Sequence, residues 1–237
     1  TEAINQLGYD PALLGSAVHM ALENTRKSGK YGADDYIDEF RKACQELGIN
    51  KQTCEAAYLP LAQEWLTQFA ASSLGQPLDG EIWEKPFALE WPVNLTTVRF
   101  KGFIDQLVPR QNGRWDVLDY KTNRVLGPEE IRDYTLQLQL YALACRQGLG
   151  LEIENLYLYH FPKGTLLKIE EDAQTAADIL TKVGDAIAAG VTEIDFRWPD
   201  RGCRHCPVAI CPLRDEEKTE VDEEAVQNDE AAQIDDN

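Results

Sequence analysis

The stretch from Gly102 to Arg124, GFIDQLVPRQNGRWDVLDYKTNR, constrains this chain more than any other. Two runs rich in Phe, Ile, Leu and Val flank a QNG turn. That pattern predicts a hairpin with a three-residue loop, Gly113 taking the left-handed position that closes it. A loop centred on Asn112 sets Asp105 and Asp119 opposite each other. Side chains two apart on a strand share a face, so Lys121 joins Asp119 there. Facing carboxylates repel unless a cation or a proton lies between them. Two readings are open at this point. One is a salt bridge on a solvated sheet face, with Lys121 between the aspartates. The other is a hard divalent ion, Mg²⁺ or Mn²⁺, held by carboxylate oxygens. Lys121 would then orient a water or stabilise transition-state charge.

The rest of the chain frames this hairpin as α/β. Residues 10–29, 33–48 and 51–75 read as amphipathic helices, each ended by a glycine. The pattern then changes to strands over 82–93, 96–109 and 114–122. A helix is expected over 128–150, opened by Pro128 and two glutamates. Strands over 154–164 and 165–171 and a helix over 172–190 complete the layout: a mixed sheet flanked by helices.

Charge and hydropathy limit the partners. The net charge is −18, of which −10 belongs to residues 215–237 and −8 to residues 1–214. The acidic tail has almost no large apolar residues, so disorder is expected there. No general basic surface advertises nucleic acid, which leaves room only for a local patch. No apolar run is long enough to span a membrane, and no secretory signal is read, so a cytoplasmic location is expected. The chain opens with Thr1 rather than Met, so an upstream segment is expected too.

Further candidates lie outside the hairpin. Gln137 and Tyr141 are one turn apart on the predicted helix and share a face. His19 sits mid-helix in GSAVHMALE, with Glu23 one turn on as a prospective partner. Taken in order, VH on an early helix, GFID, DYKT and QLQLY resemble the PD-(D/E)XK nucleases of the RecB/AddB type. The resemblance runs from about Gly15 to Cys211. It implies a restriction-endonuclease-like core, with a helical segment 1–76, a catalytic core 77–198, a cysteine cluster 199–214 and the tail 215–237. By the same resemblance His19, Asp105, Asp119 and the Tyr120 carbonyl would ligate Mg²⁺ or Mn²⁺. Lys121 would be the catalytic lysine, and Gln137 and Tyr141 would support the site and hold DNA. The implied activity is a metal-dependent deoxyribonuclease, more an exonuclease than an endonuclease, in recombination and double-strand-break repair beside a helicase. A CRISPR-adaptation nuclease and a non-catalytic, metal-stapled DNA-binding or assembly module are the alternatives.

Cys203, Cys206 and Cys211 form a C-x2-C-x4-C cluster. Without a secretory signal such a cluster points to metal rather than disulfides. Zinc would take His205 or a distant residue as fourth ligand. The resemblance implies a structural [4Fe-4S] cluster whose first cysteine precedes the motif histidine. No cysteine precedes His19 here, so the fourth ligand is expected upstream; the alternatives are Cys44, Cys54 or an external group in its place, or no cluster.

Overall fold

The computed structural model describes residues 9–93 and 96–188. The cysteine cluster and the acidic tail lie outside the described residues. Helix α1 spans Pro11–Ser28. It starts where Asp10 accepts a hydrogen bond from the Ala12 N–H, with Pro11 in the first turn, and stops at Gly29, whose φ of 70° no β-carbon obstructs. Helix α2 spans Ala33–Glu46. The segment expected as one helix from Lys51 to Gly75 is broken. A short turn Lys51–Thr53 and a π turn Cys54–Tyr58 precede α3, Leu59–Ala71. Pro60 is the cause: it has no N–H to offer the preceding turn, so that turn widens instead of continuing as α-helix.

Five strands follow in spatial order β1-β2-β3-β4-β5: Ile82–Val93, Thr96–Pro109, Trp115–Lys121, Ile153–His160 and Thr165–Ile169. All pairs are antiparallel except β3–β4. A parallel pair needs a crossover, and α4 (Pro128–Ala144) supplies it. Helix α5 spans Ala173–Ala188. No described helix is long and apolar enough to cross a membrane.

The sheet separates two apolar layers. On one face α1, α2 and α3 pack with Val108, Leu118, Tyr120, Tyr159 and Phe161. On the other, Leu138, Tyr141 and Ala142 of α4 pack with Ile104, Leu107, Val117, Leu156 and Leu158. Strand β3 alternates cleanly: Leu118 and Tyr120 go to the first layer, Val117 to the second. Asp119 and Lys121 therefore point toward α4.

Candidate active site

The hairpin has the expected register. Gln106 pairs with Leu118 and Pro109 with Trp115, centred on Asn112, and Gly113 has φ 79°. The ladder ends at Gln106–Leu118, so Asp105 and Asp119 do not form the facing pair expected; Asp105 lies just beyond the ladder. There its Oδ2 accepts from the Tyr120 N–H at 2.8 Å. The Tyr120 carbonyl is hydrogen-bonded to His19 Nε2 at 2.9 Å. The Tyr120 side chain is locked in the first layer. Its hydroxyl donates to Gln106 Oε1 at 2.6 Å, and its ring stacks on Trp83 at 5.5 Å. An immobile Tyr120 thus fixes the residues on either side of it, Asp119 and Lys121.

The opposite strand contributes a residue that the sequence reading missed. Trp83 pairs with Gln106 and Lys85 with Ile104, so Glu84 falls opposite Asp105. Glu84 has φ 46°, the one non-glycine residue with positive φ among those described. The pleat reverses here on both strands. Ile82 and Phe87 join the same layer although an odd number of positions separates them, and so do Leu107 and Ile104. The reversal brings Glu84 and Asp105 onto one side, toward α1. His19 Nδ1 lies 3.7 Å from Glu84 Oε1 and 3.6 Å from Asp105 Oδ2. One ligand atom from each of the three falls within 4.8 Å of the others. Glu23, expected as the partner of His19, pairs instead with Lys27 at 2.7 Å.

Asp119 is fully buried. The Lys121 ammonium lies 3.1 Å from its Oδ1 and 2.9 Å from its Oδ2. The ammonium also donates to Gln137 Oε1 at 2.9 Å and sits 4.5 Å above the Tyr134 ring. Gln137 Nε2 donates to the Tyr141 hydroxyl at 2.6 Å. Gln139, two positions on, faces elsewhere: it clamps the Glu170 carbonyl and the Asp172 N–H. Of the two glutamines in QLQLY, only Gln137 belongs to the site.

The electrostatics mark this as a place short of positive charge. Burial, then the Asp105 carboxylate, pushes Asp119 up to about 7, against the pull of Lys121. Burial raises Asp105 as well, opposed by His19 and the Tyr120 N–H. Burial would lower His19, yet Asp105 and Glu84 together raise it to about 9. Protons thus stand in for a cation among three carboxylates. An imidazole nitrogen and two converging carboxylates form a hard, oxygen-rich donor set that fits Mg²⁺ or Mn²⁺.

The remaining cysteines do not resemble ligands. Cys44, Cys54 and Cys145 are buried free thiols. Burial raises Cys44 far above the usual thiol range and pushes Cys145 up to about 12, the reverse of what a thiolate ligand needs.

The chain is similar to an ATP-dependent helicase/nuclease subunit of Streptococcus agalactiae, 31% identical over 156 residues, which covers 63% of this chain and 12% of that protein. It is 28% identical over 159 residues to the protein of the same name in Clostridium perfringens, covering 58% of this chain and again 12% of the relative. The chain thus spans about an eighth of the length of the curated relatives it matches. A crystal structure of a candidate exonuclease from Eubacterium rectale shares the fold at a TM-score of 0.53. It is 16% identical and covers 85% of this chain and 76% of that one. Residues 3–212 match the family described as the PD-(D/E)XK nuclease superfamily, and with that match extending over most of its length the chain belongs to this superfamily.

Proposed function

We propose that this chain is the nuclease part of a larger DNA-processing protein, a Mg²⁺- or Mn²⁺-dependent deoxyribonuclease. The observation that carries the reading is the convergence of His19, Glu84 and Asp105 within 4.8 Å, beside the buried Asp119–Lys121 pair. These groups come from α1, β1, β2 and β3, and a plain salt bridge needs only two of them. His19, Glu84, Asp105 and Asp119 would hold the ion, with the Tyr120 carbonyl beside them. A divalent ion there supplies Lewis-acid polarisation of a phosphoryl oxygen and an acidified water. Lys121, steadied by Asp119, Gln137 and the Tyr134 face, presents a fixed positive charge to the phosphoryl group. Such charge stabilises the transition state without reorganisation. Gln137 and Tyr141 are positioning residues.

The relatives are helicase/nuclease subunits of which this chain matches a small part. That supports a helicase partner and a role in recombination and double-strand-break repair. Exonuclease action is the favoured mode. The functional layout we propose is a nuclease domain over 1–214, containing the cysteine cluster 199–214, followed by the acidic tail. Cys203, Cys206 and Cys211 would hold a structural [4Fe-4S] cluster, since thiolates select iron–sulfur over hard ions. The test is cleavage of single- and double-stranded DNA in Mg²⁺, Mn²⁺ and EDTA. Cleavage that persists in EDTA sinks the proposal.

A further inference from the structure

The β1–β2 hairpin runs well past the site, and among the described residues helices cover one of its faces. Phe87, Leu89 and Trp91 of β1 and Phe100 of β2 pack against α4 and α5. The Trp91 indole donates to Thr181 of α5 at 3.1 Å. The alternate β2 residues, Arg99, Lys101 and Phe103, are exposed. Phe103 is 58% exposed, the largest aromatic exposure among the described large hydrophobics. Opposite these residues stand Glu90, Ala88 and Pro86. The Arg99–Glu90 contact is long, at 4.0 Å, and both side chains are more than half exposed, so it is weak and screened. Arg99 and Lys101 are thus two cations in line on an otherwise acidic chain. The line continues through Phe103 to Asp105, two residues further along the same strand.

We propose that this open face is the path by which single-stranded DNA reaches the site: Arg99 and Lys101 on phosphates, Phe103 beneath an unpaired base next to Asp105. The inference rests on the nuclease reading above and adds to it a surface and a strandedness. Alternate residues on a strand stand roughly 6.8 Å apart, a spacing suited to successive phosphates of a stretched chain. A cationic groove with an interleaved aromatic is how proteins hold single strands without reading sequence. An exposed ring can stack only on a base that lacks a partner. The acidic body would repel a duplex more than a single strand, whose charge density is lower.

The test uses the 237-residue chain and fluorescence anisotropy of a labelled oligothymidylate over a salt series, with Ca²⁺ in place of Mg²⁺. Arg99→Gln/Lys101→Gln should flatten the log–log salt slope by about 1.4, two phosphate contacts at roughly 0.7 each. Phe103→Ala should weaken binding about 5- to 100-fold without changing the slope, and Phe103→Trp should restore it. In cleavage, the same variants should raise KM for the oligonucleotide and leave kcat unchanged. Melting temperatures should match the parent, because these side chains are exposed. Unchanged affinity and slope overturn the proposal. So does tighter binding of a duplex that ignores Phe103, or an effect of the Arg99 and Lys101 changes that vanishes once residues 215–237 are deleted, which would make the acidic tail the occupant. Anisotropy needs no cleavage, so a chain that binds through the strip yet never cuts sinks the nuclease reading alone.

Discussion

Without metal the protein should melt at progressively lower temperature as the pH rises from about 5 to about 9. His19 sits at about 9 when folded against an ordinary 6.5. A raised histidine stabilises the fold fully below 6.5, and that contribution is lost as the pH climbs to about 9. The shift corresponds to about 3 kcal/mol at most. Each kcal/mol moves the melting temperature about 2–4 °C for a chain this size, so the decline attributable to His19 is about 6–12 °C. Asp119 acts in the same direction over a lower window. Its folded value lies above its unfolded one, so its stabilising, protonated state is lost between 3.8 and about 7. A divalent ion requires the deprotonated forms of both groups, so the melting-temperature gain from saturating Mn²⁺ over EDTA should grow with pH. Scanning fluorimetry at unit pH steps measures this directly. His19→Gln should remove the part of the slope above about pH 6.5. A gain from Mn²⁺ that is equal at pH 5 and pH 9 would show that neither His19 nor Asp119 gives up a proton to the ion.

Replacing Glu84 separates strain from function. A non-glycine residue at positive φ is strained, so Glu84→Gly should be more stable than Glu84→Ala by about 1 kcal/mol in urea unfolding, with both losing metal-dependent cleavage. Deleting Asp215–Asn237 removes a net charge of −10 and should tighten DNA binding at low salt. Unchanged affinity across a salt series would exclude an inhibitory tail. Protein purified anaerobically should be brown and hold roughly four irons, and Cys203→Ala, Cys206→Ala or Cys211→Ala should each lose them. One zinc and no iron by elemental analysis would overturn the cluster while leaving the carboxylate site untouched.

Much of the site was legible because turn chemistry fixes register. Asn112-Gly113 anchored the hairpin, and every pairing from Gln106–Leu118 to Pro109–Trp115 follows from that anchor. The Gln137–Tyr141 pair followed from helical spacing, and their hydrogen bond joins them to Lys121. Glu84 stayed hidden for two physical reasons. The connection at Asn94-Leu95 lacks the glycine that would have anchored the β1–β2 register. Nor does the sequence announce the local reversal at Glu84, φ 46°, that turns this opposed pair toward α1. With the β1–β2 register known, Glu84 falls opposite Asp105 directly. At Pro60 the sequence carries two opposed signals, an unbroken amphipathic periodicity and a residue without an N–H, and the missing N–H prevails.

The central claim is that the charged hairpin wall is catalytic rather than a structural ion pair. Initial rates of oligonucleotide cleavage in Mg²⁺, comparing the parent with Lys121→Ala, test it most directly. Circular dichroism must first show both folded. A loss of about 10²–10³-fold or more is expected, the cost of removing one fixed charge from a phosphoryl transition state. A Lys121→Ala protein that cuts at the parental rate would contradict it, and would return Asp119 and Lys121 to the role of a buried salt bridge.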